Sequence, residues 1–238
     1  MLRFSMMLSG VALAAAASPA AAQISVGGGL RVSGGAEATT DYRFRGISQS
    51  DGDPALHADV EISHDNGLYV SGFASTLSEH PRTGEVEVAL TGGFRRDVFL
   101  ATELDVGVQL YTFPSNDSAF GATYVEPFGL LSHRIGPARA TVGARYAPAQ
   151  DALGDEDSLY LFADADADLI ILPFSITARV GHTNGPARFV AARDYWDWRF
   201  GVSRGFGPAR VALEYVDTDL PGGLGADSTL VASVRLGF

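Results

Sequence analysis

The 238-residue chain contains no cysteine and no lysine; all 17 of its basic residues are arginine. The first absence excludes disulfide staples and thiolate metal sites, whatever the redox state of the compartment. The second carries no functional weight, since genome composition accounts for it equally well. Long hydrophobic runs are missing too: hydrophobic content is 46% and mean hydropathy +0.10, and nothing beyond residue 22 approaches the ~20 apolar residues that a membrane-spanning helix needs. If this chain crosses a bilayer, it does so with strands closed into a barrel. Acid exceeds base, for a formal net charge of −11, which argues against nucleic acid or an anionic lipid surface as partner.

The first residues supply a compartment. Arg3, the apolar run Met6 to Ala17 and the small residues Ala20-Ala21-Ala22 ahead of Gln23 read as a secretory signal peptide over residues 1–22. With no cysteine after the run, a lipoprotein anchor is excluded. Residues 23–238 are then one domain.

That domain is patterned with period two almost throughout. Over 36–45, Ala38, Thr40, Tyr42 and Phe44 oppose Glu37, Thr39, Asp41, Arg43 and Arg45; Leu56, Ala58, Val60 and Ile62 oppose His57, Asp59, Glu61 and Ser63. An Asn66-Gly67 hairpin signal follows, then a less clear strand over 68–77. Val86, Val88 and Leu90 oppose Glu85, Glu87 and Ala89 before a turn at Arg95-Arg96-Asp97, and Leu104, Val106, Val108 and Leu110 oppose Glu103, Asp105, Gly107 and Gln109. A strand over 124–133 has no evident facing. Ala140, Val142, Ala144 and Tyr146 oppose Arg139, Thr141, Gly143 and Arg145, and Ala163 to Asp168 alternates three alanines with Asp164, Asp166 and Asp168. Ile176, Ala178 and Val180 oppose Thr177 and Arg179; Trp196, Trp198 and Phe200 oppose Asp197 and Arg199; Val211, Leu213 and Tyr215 oppose Arg210 and Glu214. The last strand, Thr229 to Phe238, sets Leu230, Ala232, Val234, Leu236 and Phe238 against Val231, Ser233, Arg235 and Gly237.

These amount to twelve strands, joined alternately by long polar loops and short turns. The expected fold is all-β: a transmembrane antiparallel up-and-down β-barrel of about twelve strands, with ten or fourteen as the alternatives, and with both termini periplasmic. A soluble sandwich shares the alternation but has no reason to sort its loops by length. Nearly all charge falls on one strand face. Since an arginine at mid-depth on a lipid face costs about 2 to 4 kcal/mol, the charged face reads as lumen and the apolar face as lipid contact. Expected partners are outer-membrane lipids, small solutes, and the assembly machinery of that membrane, which reads a C-terminal strand such as Leu230–Phe238.

One stretch carries a resemblance. Asp41-Tyr42-Arg43-Phe44-Arg45-Gly46-Ile47-Ser48-Gln49-Ser50, followed by Pro54-Ala55-Leu56, resembles the TorF-type porin family of proteobacteria, a conserved outer-membrane family without an assigned solute; weaker echoes lie at Glu85-Val86-Glu87, Tyr111-Thr112-Phe113-Pro114 and Tyr124-Val125-Glu126. The resemblance implies an outer-membrane barrel and suggests pore activity.

The residues expected to line the lumen are Asp41, Arg43, Arg45, Asp59, Glu61, Glu85, Glu87, Glu103, Asp105, Arg145, Asp164, Asp166, Asp168, Arg179 and Arg199. Asp41, Arg43 and Arg45, on one row near the outer end of the first strand and within reach of Asp59, form either an eyelet that sorts ions or a structural ion-pair network. The aspartate ladder repeats about every 7 Å. A rigid strand seldom converges such carboxylates on one metal ion, so pairing with Arg145 and Arg179 is expected. Trp196, Trp198 and Phe200, with Tyr42 and Phe44, fall outward as an interfacial belt. His64 and His80 sit in connections, and His57, His133 and His182 near strand ends; none has a serine or carboxylate at triad spacing, so no catalytic or cofactor role is assigned.

Overall fold

The computed structural model of the chain describes residues 24–79, 83–115, 123–188 and 192–238. The signal peptide expected over 1–22 and His80 lie outside the described residues. The strands are β1 (Ile24–Gly27), β2 (Leu30–Thr39), β3 (Arg43–Phe44), β4 (Ile47–Ser48), β5 (Ala55–His64), β6 (Leu68–Thr76), β7 (Val86–Phe99), β8 (Thr102–Thr112), β9 (Tyr124–Ile135), β10 (Ala138–Gln150), β11 (Glu156–Asp168), β12 (Ser175–Pro186), β13 (Arg193–Phe206), β14 (Ala209–Thr218) and β15 (Thr229–Gly237).

Twelve of them, β2 and β5 to β15, form the wall, each antiparallel to its neighbours. The sheet closes where β15 meets β2, pairing Ser233 with Thr39 and Gly237 with Gly35. Gly34 and Phe238 then exchange backbone hydrogen bonds of 3.0 and 2.9 Å, so the last residue is stitched into the seam. Short β1 pairs with the start of β2, where β15 has run out. The connections at one end span 65–67, 100–101, 136–137, 169–174 and 207–208, and at the other 40–54, 77–85, 113–123, 151–155, 187–192 and 219–228. The twelve strands are as the sequence predicts; the sorting of connections by length holds except that 169–174, at the short end, is longer than 151–155 at the other and as long as 187–192. No helix among the described residues is long and apolar enough to cross a membrane.

Period two becomes a difference between the two faces. Leu56, Val60, Val70, Leu90, Val142, Leu161, Phe200, Leu213, Leu230, Val234 and Leu236 are all exposed on the outside, as are Trp196 and Trp198. Glu87, Asp105, Gln109, Glu126, Arg145, Asp197, Arg199 and Arg235 are buried within. Aromatics also point inward. Tyr69 and Phe73 on β6, Tyr124 and Phe128 on β9, and Tyr160 and Phe162 on β11 are buried, which explains why β6 and β9 have no clean polar face in the sequence. Tyr160 lies flat against β12 only because that strand offers Gly181, where a Cβ would stand 2.1 Å from the ring hydroxyl.

Three boundaries differ from expectation. The first wall strand begins at Leu30, six residues ahead of the alternation read over 36–45, and ends at Thr39. β7 continues through Arg95 and Asp97 to Phe99, so the predicted turn at Arg95 is strand. Most importantly, residues 40–45 leave the wall, and Tyr42 and Phe44, expected on the lipid face, are 1% and 3% exposed.

Val142 pairs with Leu131 and Ala163 at mid-strand, whereas Leu230 lies one residue from the long-loop end of β15. In urea titrations of the refolded barrel in lipid, Val142→Arg should cost about 2–4 kcal/mol and Leu230→Arg about 1 kcal/mol or less. Equal costs would remove depth in a bilayer as the explanation of this face.

Candidate functional site: the lumen and its internal hairpin

Residues 41–50 fold into the barrel as a self-braced hairpin. Arg45 and Gly46 take φ of 48° and 82°, the pair of positive values that a two-residue type I′ turn requires, and β3 pairs with β4 through Arg43–Ser48 and Phe44–Ile47. Asp41 organises the base. It accepts from Arg43 Nε, from Ser48 Oγ at 2.6 Å and from Ser50 Oγ at 3.1 Å. Arg43 Nη1 donates to the carbonyls of Gly46 (3.1 Å), Gly225 (2.8 Å) and Asp227 (3.0 Å), tying the turn to the 219–228 connection. Gly46 has no space for a side chain, since a Cβ would meet Thr218 Cγ2 at 2.3 Å. Asp41, Arg43, Ser48 and Ser50 thus brace the run locally.

The hairpin carries apolar side chains into the lumen. Tyr42 and Phe44 pack with Phe73, Ala89, Tyr111, Phe113, Tyr124 and Leu153, and Ile47 packs with Ala187, Ala192, Tyr195 and Ala226. His57, buried 3.7 Å from Glu37, meets the Tyr42 ring edge-on at 4.8 Å. Arg45 pairs with Glu126, its guanidinium 4.2 Å from the Tyr160 ring centroid, while its carbonyl accepts from Tyr195 Oη at 3.1 Å. Beside it, Arg188 enters from the 187–192 connection and makes a two-pronged bond to Glu87, at 3.2 and 2.6 Å. Burial disfavours the Arg188 charge, but Glu87 and then the Tyr124 and Tyr42 hydroxyls outweigh it and hold its pKa above the ordinary arginine range.

Towards the short-turn end the lumen is a ring of ion pairs. Arg95 bridges Asp105 at 3.0 Å and Glu61 at 3.3 Å, and Tyr69 Oη donates to Asp105 at 2.8 Å. Arg235 forks onto Asp59, Arg179 forks onto Asp164, and Arg199 lies 3.7 Å from Glu214. Asp168 accepts from Ser175 Oγ at 2.6 Å, and Asp166 is in register with Arg139 and Thr177. Glu103, half-buried, faces Ser132 and Asp97 across the ladder.

Several expectations need correction. Asp41, Arg43 and Arg45 do not form a row on the first strand, because the chain leaves the wall after Thr39; Asp59 is paired with Arg235 instead. Arg145 does not serve the aspartate ladder. Its register partner on β11 is Tyr160, so it turns to Glu126 at 3.7 Å and Gln109 at 3.3 Å. Glu85 is exposed, ahead of the first residue of β7, with its backbone N–H held by Ser115 Oγ at 2.8 Å. Glu126, Arg95, Arg188 and the inward tyrosines are lumen residues that periodicity missed. A buried arginine inside a long connection, such as Arg188, leaves no periodic signal.

Gly46→Ala combines a left-handed backbone with a clash, so it should unseat the hairpin at a cost of at least about 1 kcal/mol and expose the bond after Arg45 to trypsin. Unchanged stability together with continued protection from trypsin would show that the hairpin tolerates a side chain there.

No curated protein matches the sequence. Among solved structures, the KdgM porin in complex with disordered oligogalacturonate is similar with a TM-score of 0.59 and 8% identity, over 87% of this chain and 99% of that one. The NanC porin is similar with a TM-score of 0.54 and 15% identity, over 87% and 97%. Likeness at these identities is likeness of fold. A family model described as a bacterial protein of unknown function, Gcw_chp, matches residues 23–232. With nearly the whole barrel covered by that match, the chain belongs to the Gcw_chp family.

Proposed function

We propose that this protein is a channel of the bacterial outer membrane that passes small hydrophilic solutes or ions and leans toward cations. In this reading the long connections face outward, both termini are periplasmic, and β15 with Phe238 is the segment read by the assembly machinery. The observation that carries it is the separation of faces in a closed barrel: apolar side chains outside, ion-paired charge inside. The porin folds it resembles and the likeness of 41–50 to TorF-type porins support the same class. The cation preference rests on charge. Glu37, Asp41, Asp59, Glu61, Glu87, Asp105, Glu126, Asp164, Asp166, Asp168, Asp197 and Glu214 outnumber Arg43, Arg45, Arg95, Arg139, Arg145, Arg179, Arg188, Arg199, Arg210 and Arg235, and a lumen with excess carboxylate attracts cations. KdgM was captured with an acidic saccharide, and that solute class does not suit this charge balance.

A second reading is favoured by the packed hairpin: a closed barrel that conducts nothing and serves as a structural or adhesion scaffold. Liposome swelling with small sugars separates the two, since swelling supports the pore and its absence with correctly folded protein supports the scaffold. In bilayers under a salt gradient the reversal potential should favour cations; a chloride-selective potential would overturn the preference. Arg43→Ala releases the hairpin turn from Gly225 and Asp227 and should raise single-channel conductance severalfold. Unchanged conductance would place the constriction elsewhere.

A further inference from the structure

Arg188 sits in surroundings that resemble a ligand site more than a loop anchor. Its guanidinium lies 4.4 Å from the Phe44 ring centroid, 4.8 Å from that of Phe113, 5.1 Å from Tyr111 and 5.9 Å from Tyr124. Tyr111 and Tyr124 stack on each other at 4.6 Å and 16°, and Phe44 stands edge-on to Tyr111, so the rings brace one another around the guanidinium. Opposite the prongs of the guanidinium is Glu87, with no exposed surface, one oxygen of which also accepts from Tyr42 Oη at 3.2 Å. The Tyr111 hydroxyl is buried and has no hydrogen-bond partner among the described residues. An unpaired buried hydroxyl is costly, so the walls hold more hydrogen-bonding capacity than Arg188 uses.

Aromatic faces and a buried carboxylate together select a cation that is planar, weakly hydrated and able to donate two parallel hydrogen bonds. An ammonium is also attracted to the rings but cannot present two parallel N–H donors to both carboxylate oxygens. We infer that this cage is a lumenal recognition site for guanidinium-bearing solutes, which Arg188 occupies as an internal stand-in. Its meaning as a solute filter rests on the channel reading, but its binding chemistry does not, and the test separates them.

Arg188→Ala leaves Glu87 buried without its partner and should lower the temperature at which the folded, fast-migrating form is lost on gels. Methylguanidinium, at concentrations well below denaturing, should shift that transition back toward wild type in a saturable way, while equal sodium chloride and equal urea should not. Adding Glu87→Gln to Arg188→Ala should remove both the instability and the response. Arg188→Gln, which keeps the stem and an amide, takes the same titration should Arg188→Ala fail to fold. The inference is overturned if methylguanidinium does no more than sodium chloride or urea in the folded variant, or if Arg188→Ala with Glu87→Gln responds as the single variant does. Rescue in a barrel that fails the swelling assay would keep the site and sink the channel; swelling without rescue would do the reverse.

Discussion

The pairing of β15 with β2 is the constraint from which the rest of the structure follows. An open sheet edge leaves a row of unpaired backbone donors and acceptors, and the chain removes it by returning to its own beginning. The seam from Ser233–Thr39 to the Gly34–Phe238 exchange does this. Once closed, every strand has an inside and an outside, and a single residue of slip would exchange them. The exposed Leu230, Val234 and Leu236 and the buried Arg235 are therefore consequences of register, and so is the absence of alternatives to it.

Closure at twelve strands also makes the interior narrow, and narrowness explains its chemistry. A charge there is poorly solvated, and removing one member of a buried pair typically costs about 3–5 kcal/mol. Paired charges such as Arg235–Asp59 and Arg95–Asp105 are the outcome. The two halves of the lumen nonetheless differ. Toward the short turns the Arg179–Asp164 pair keeps some exposure, 24% for the Asp164 side chain and 15% for Arg179. Toward the long loops, aromatic rings and the hairpin exclude solvent, and Arg188 and Glu87 fall to 3% and 0%.

How much of this was legible in the sequence depended on whether a residue belonged to the wall. Strand count and the inward facing of Asp59, Glu61, Asp105, Asp164, Arg179 and Arg199 follow from period two, because a strand pinned on both sides has only two faces to choose from. The same rule misled at 36–45. Alternation continues there for six residues after the wall has ended, since an extended segment folding inward also alternates. Nothing in the periodicity distinguishes Tyr42 on a lipid face from Tyr42 beneath a hairpin. The signal that could have done so is local: Arg45-Gly46 as a two-residue turn, flanked by an aspartate and two serines able to brace it. Arg188 had no signal of either kind, because its position is set by Glu87, 101 residues away in sequence.

The hairpin ties the Asp41 to Ser50 run to the fold. Residues that serve only the wall fall at every second position along a strand; those that brace the hairpin are contiguous, as they must be in a compact turn that satisfies its own polar groups. Asp41 is central to it: Arg43, Ser48 and Ser50 all converge on its carboxylate, so the loop arrives inside with its charges already neutralised. Only Arg45 needs a partner from the wall, and Glu126 provides it. A segment prepared in this way can occupy a low-dielectric interior without demanding many wall carboxylates, leaving Glu87 to Arg188 and the aromatic cage. The loop-end interior is thus filled by connections together with wall side chains such as Phe73, Tyr111 and Tyr124, while the strands supply the frame that makes folding the connections inward possible.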